Sequence, residues 1–139
     1  MERYFLGNNS GSGFWNEYDG ELKRMDKVAL IKGGSGTGKS TIMKKIAAYA
    51  QKNGHDIEIW HCSGDPKSLD GVYIKDINRA VVDATAPHAS GADIPVVKDR
   101  IFDVANNLDK SKLDGMRDEI EKLIKCKKAH FMRVYQHLK

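Results

Sequence analysis

Four glycines fall in six consecutive positions, Gly33, Gly34, Gly36 and Gly38, and the run leads straight into Lys39-Ser40. Glycine loses more conformational freedom on folding than any other residue, so this density is justified only where the backbone must turn in ways other residues resist. The flanks show what is joined. Ahead of the run, Lys27-Val28-Ala29-Leu30-Ile31-Lys32 is a short apolar stretch with charged ends, which predicts a buried strand. Behind it, Ile42, Met43, Ile46, Ala47 and Ala50 recur at helical spacing, and Asn53-Gly54 supplies a left-handed stop. Strand, glycine loop and helix in that order are the context in which G-x-x-x-x-G-K-[ST] wraps a phosphate.

Within the motif each residue has an expected task. The backbone of Gly33, Gly34, Ser35, Gly36, Thr37 and Gly38 presents N–H groups to phosphate oxygens, aided by the positive end of the following helix. Lys39 is expected to reach the β and γ phosphates and Ser40 to hold Mg2+. Thr41 serves the α phosphate or caps the helix. The expected ligand is ATP or GTP, between which the motif does not choose. The competing explanation is a glycine-rich turn that merely precedes a helix.

Further along, Ile57, Ile59 and Trp60 lean to β structure and end at Cys62, giving a second strand. Ala80-Val81-Val82-Asp83 gives a third, and a weaker strand or turn covers 71–77. Residues 8–13, rich in Gly, Ser and Asn, read as a flexible loop or turn, and 96–108 as a short helix. From Leu113, apolar residues recur through Met116, Ile120, Leu123, Ile124, Phe131, Val134, Tyr135 and Leu138, predicting a long amphipathic helix. The fold class that follows is α/β, a P-loop NTPase-like three-layer sandwich with a mostly parallel sheet ending in a long C-terminal helix. Three core strands are few for such a sheet, which suggests an incomplete domain or one completed by another chain. Residues 1–109 read as the nucleotide-binding core and 110–139 as the helix of the same domain or the start of a further segment.

Asp83, at the end of the third strand, is the expected second Mg2+ ligand, although an Asp there also suits a turn. Ala84 follows it where many motor-type ATPases carry a water-activating glutamate, which turns expectation toward a kinase or a slow hydrolase. His88 is the candidate general base or γ-phosphate sensor. His61, Cys62 and His88 together offer transition-metal ligands in principle, without the short spacing such sites show. Arg79 and Arg100 are candidates to neutralise charge on a transferring phosphoryl group. Phe14, Trp15 and Tyr18 suit either base stacking or core packing.

The net charge of +4 has a location: residues 110–139 hold nine Lys/Arg and four Asp/Glu, leaving 14 basic and 15 acidic residues before them. Excess charge confined to a predicted helix reads as its solvated face and argues against a nucleic-acid partner. No apolar run approaches the roughly 20 residues that span a bilayer, and Met1-Glu2-Arg3-Tyr4 lacks a secretory layout, so a cytoplasmic location is expected. Two separated cysteines, Cys62 and Cys126, make no disulfide framework.

With these residues in place, the sequence resembles a family of poorly characterised bacterial P-loop ATPases, found mainly in Firmicutes, whose members often carry two tandem P-loop halves. The likeness rests on Ile31-Lys32-Gly33-Gly34, His61-Cys62-Ser63-Gly64-Asp65, Ser68-Leu69-Asp70-Gly71, Asp83-Ala84-Thr85-Ala86-Pro87-His88, Phe14-Trp15 and Phe131-Met132-Arg133-Val134-Tyr135. The family usually has glycine where Ala84 stands. The resemblance implies nucleotide binding and a chain equivalent to part of one such half, so a second P-loop half or a second copy is an expected partner. The expected function is an NTP hydrolase or a small-molecule kinase, the alternative a nucleotide-dependent switch with little hydrolysis whose long helix engages a protein partner.

Overall fold

The apolar stretches form strands because each can bury both faces of one sheet. A computed structural model describes residues 1–85 and 93–139. Strands β1 (Glu2–Tyr4), β4 (Lys27–Lys32), β5 (Ile57–His61), β6 (Leu69–Ile74), β7 (Arg79–Asp83) and β8 (Asp99–Asp103) build a six-stranded sheet in the order β1-β5-β6-β7-β4-β8. β1 with β5, β7 with β4, and β4 with β8 run parallel, while β6 lies antiparallel to both its neighbours. The α/β class and the mostly parallel sheet therefore match the sequence expectation.

The core lies in two layers, one on each sheet face. On one face α1 (Tyr18–Lys23) brings Tyr18 and Leu22 against Val28, Leu30, Trp60, Ala80 and Val82. On the other, α2 (Lys39–Lys52) lays Met43, Ala47 and Ala50 on Ile31, Ile57, Ile59 and Val72. Fully burying an aliphatic side chain contributes about 1.5–3 kcal/mol, so these residues dominate the stabilisation. α2 keeps its apolar stripe at the spacing the sequence shows and ends where expected, with Asn53 as C-cap and Gly54 left-handed beyond it.

Four expectations need correction. Within 8–13 only Gly11 and Ser12 form a turn: β2 (Gly7–Ser10) and β3 (Gly13–Asn16) pair as a hairpin around them, with Gly13 left-handed. The stretch 96–108 is not helical, since β8 gains a ladder along β4, and only Val104–Asn107 forms a 3-10 turn. The weak strand near 71 is the full strand β6, and with β1 and β8 it brings the three expected core strands to six. The terminal helix is broken at Met116 into α3 (Lys110–Gly115) and α4 (Arg117–His137). α4 buries no residue; Ile120, Phe131 and Tyr135 alone are half-buried, and the Tyr135 hydroxyl donates to Asn9 Oδ1 at 3.2 Å. Among the described residues, no helix is long and apolar enough to cross a membrane.

Candidate functional site

β4 and β7 lie side by side with Ile31 opposite Asp83, so the glycine loop leaves the sheet beside the acid. Gly33 admits no side chain, since a Cβ there would sit 2.8 Å from both Thr37 Oγ1 and Val104 Cγ2. Gly38 is the N-cap of α2 with φ 89°, a left-handed conformation that favours glycine. No side chain caps this helix end and no acid lies in its first turn. The N–H groups and partial positive charge of a 14-residue helix therefore point out of the loop uncompensated, which is what an anion requires.

Lys39 occupies the centre. Its Nζ donates to the carbonyls of Gly33 at 2.6 Å and Gly34 at 2.8 Å, and lies 3.6 Å from Asp83 Oδ2. Both partners of that ion pair are mostly covered, with 11% of each side chain exposed. Asp83 is also an acceptor for the Thr85 N–H at 2.8 Å, and the Thr85 hydroxyl donates back to the Gly33 carbonyl at 2.8 Å. The Thr85 hydroxyl thereby ties the end of β7 to the loop. Ser40 Oγ accepts the Leu69 N–H at 2.9 Å, which links the first turn of α2 to β6, while Thr37 Oγ1 donates to the Gly34 carbonyl at 2.8 Å. Ser35, Gly36 and Thr41 are exposed around this centre.

Asp70, which pattern reading did not single out as a site residue, is 2% exposed and accepts the Tyr18 hydroxyl at 3.1 Å. A β-bulge at Trp60/His61 lets Asp70 depart from the alternation of β6, a known way of re-aiming a side chain beside a site. Burial, then the Asp70 charge, pushes the Tyr18 phenol far above its ordinary range. Burial likewise raises the Cys62 thiol, with Asp70 adding to the shift, so Cys62 stays protonated at neutral pH. The signal for Asp70 was an interrupted strand, Ser68-Leu69-Asp70-Gly71, in which a polar residue stands where alternation expects burial.

Several expected residues lie elsewhere. His88 is outside the described residues. His61 is turned to Arg3, 3.0 Å away, and to the Pro66 carbonyl at 2.8 Å. Among the described residues no three His, Cys, Asp or Glu side chains form a metal site. Ser40 and Asp83 flank Lys39 and offer two hard oxygens, a donor set that suits Mg2+ when phosphates and water complete the shell. Tyr18 is fully buried and edge-on to Trp60 at 6.1 Å, so it is core and not a base-stacking surface, whereas Trp15 is 63% exposed. Arg79 opens β7 four residues before Asp83, about 13 Å away along the strand, and Arg100 pairs with Ala29; neither reaches the loop.

No protein-family model matches the chain, and neither does a curated protein or a solved structure. The site therefore stands on its own geometry.

Proposed function

We propose that this protein binds ATP or GTP with Mg2+ on residues 33–41, in a P-loop NTPase-like three-layer sandwich, and acts in the cytoplasm as an NTP hydrolase or small-molecule kinase. The observation that carries the reading is Lys39, held between two loop carbonyls and Asp83 in front of an uncapped helix N-terminus. A phosphate oxygen is a charged acceptor and adds to the hydrogen bond an ion pair with Lys39 that the neutral carbonyls do not offer. The loop N–H groups bind the remaining oxygens, and the α2 dipole adds positive potential at no cost in reorganisation. Ser40 and Asp83 would hold Mg2+, which supplies the charge that offsets negative charge building on a transferring phosphoryl group. Asp83 also pairs with the Lys39 ammonium at 3.6 Å. Ala84 places no carboxylate beside Asp83 to activate water, which favours slow turnover or transfer to an acceptor.

Calorimetric titration of MgATP and MgGTP into wild type and Lys39→Ala, followed by phosphate-release measurements on the same samples, tests this. Wild type should bind at least one nucleotide and the variant should bind it at least about tenfold more weakly. Equal affinity in the two proteins would overturn the reading. A second reading, a nucleotide-dependent switch, is favoured by the connection from Ser40 through Leu69 to the 62–68 turn, where Gly64 lies under Phe131 of α4. Binding without phosphate release selects it.

A further inference from the structure

α2 covers only part of its sheet face. It rests on β5 and β6 and reaches Val81 of β7 and Ile31 of β4, so that among the described residues no helix lies over β8 and the beginnings of β7 and β4, although parallel strands are found almost only with both faces covered. A helix is about 10 Å across, about the spacing of two strands, so the uncovered ground takes one helix. A cavity of about 510 Å3 lies on this ground, floored by Ala29, Ile74, Val81 and Phe102. The floor continues the α2 core layer, in which Ile74 and Val81 already take part, and Phe102 on the edge strand is 50% exposed.

The rim is cationic. Lys27, Arg79 and Arg100 line the same cavity, all three exposed. Among the described residues no carboxylate lies within ion-pair distance of any of them, and Lys27 Nζ is spent only on the Val97 carbonyl at 2.6 Å. At the lip, Val96 is 81% exposed with φ 68°, a left-handed conformation that costs a β-branched residue about 1–3 kcal/mol. The 93–99 turn holds it there: Asp99 Oδ2 accepts the N–H groups of Asp93 and Ile94 at 2.6 and 2.7 Å, and Val96 N–H donates to the Asp99 carbonyl at 2.8 Å. The result keeps Val96 and Val97 turned out beside the apolar floor, Val97 being 66% exposed.

From this combination we infer that the β7-β4-β8 face docks an amphipathic helix of a partner polypeptide, with an apolar stripe flanked by acidic side chains. Charge selects the occupant. A second copy offers two helices long enough, and both are mismatched: α2 carries four lysines and no acid, and α4 carries six Lys/Arg against three Asp/Glu. Either would bring like charge onto Lys27, Arg79 and Arg100, which is costly at an interface. An acidic flank meets those three cations while its stripe fills the floor, the helix-in-groove mode of recognition. Arg79 and Arg100 thereby gain a role distant from the phosphates.

The test uses two synthetic helices of about 16 residues, one with leucines on one stripe and glutamates flanking it, the other with lysine in place of every glutamate. Fluorescence anisotropy on the full chain should show the glutamate helix binding at least about tenfold more tightly than the lysine helix. The double variant Arg79→Glu/Arg100→Glu should reverse that order, and Phe102→Asp should remove binding of both. Circular dichroism checks that each variant is folded; should Phe102→Asp not fold, the charge reversal still decides. Binding of neither helix, equal binding of both, or an unchanged order in the double variant overturns the inference. So does concentration-dependent dimerisation of the wild type that Phe102→Asp abolishes, which would assign the face to a second copy.

Discussion

Asp83 touches two functions at once, and the two can be separated at the level of one atom. Replacing it with Asn keeps the shape and the acceptor for Thr85 N–H but removes the charge that faces Lys39 and would hold the proposed Mg2+. Asp83→Asn should raise the Mg2+ concentration needed for half-maximal nucleotide binding by about tenfold, while binding measured without Mg2+ stays level or tightens as repulsion of the phosphates is relieved. A Mg2+ titration of nucleotide binding reads both. Gly71 makes a sharper structural case: a Cβ there would lie 2.3 Å from Cε3 of the fully buried Trp60 ring. Gly71→Ala forces that ring or its strand to move and should cost about 1–3 kcal/mol in urea denaturation, with the slope of the transition unchanged.

Among elements, the hydrophobic period decided what could be read in advance. β4, β5 and β7 were legible as short, nearly unbroken apolar runs, and α2 because its buried Met43, Ala47 and Ala50 sit on one stripe at helical spacing. β8 was not, since Asp99-Arg100-Ile101-Phe102-Asp103 on an edge is exposed at four of five positions and is a strand only by its ladder to β4. β2 and β3 were hidden for a related reason: Asn8, Asn9 and Ser10 carry the composition of a loop, and the pairing is local. β1 is a three-residue edge strand whose side chains are all exposed, yet ion pairs help fix it. Lys75 contacts Glu2, Asp56 and Glu58, and the Met1 ammonium lies 3.2 Å from Asp56. Hydrogen bonding to Lys75 holds Glu2 below the usual carboxylate range, and the chain amino group does the same for Asp56. Carboxylates depressed in the folded state contribute stability above their unfolded values near pH 4, and that contribution fades as pH falls through the lower folded values. Melting temperatures of wild type and Lys75→Met should therefore differ at pH 6 and converge toward pH 3; a difference that grows on acidification would refute the assignment.

At the scale of the whole molecule, the glycine loop sits at the ends of β4 and β7 and the apolar, cationic cavity lies toward their beginnings, with the sheet core between them. Sites so placed share no side chain, and their energies should add within a few tenths of a kcal/mol. A ligand that binds only the folded state stabilises it by about 2.7 kcal/mol at a hundred times its Kd, which for a chain of this length raises Tm by roughly ten degrees. MgATP or MgGTP at that excess should give a rise of this order in wild type and almost none in Lys39→Ala. The acidic helix should give its own rise in both proteins, and the two rises should sum when both ligands are present in wild type. A combined rise well above the sum would mean that β4 and β7 transmit between their two ends, making the sheet itself the coupling element of a nucleotide switch.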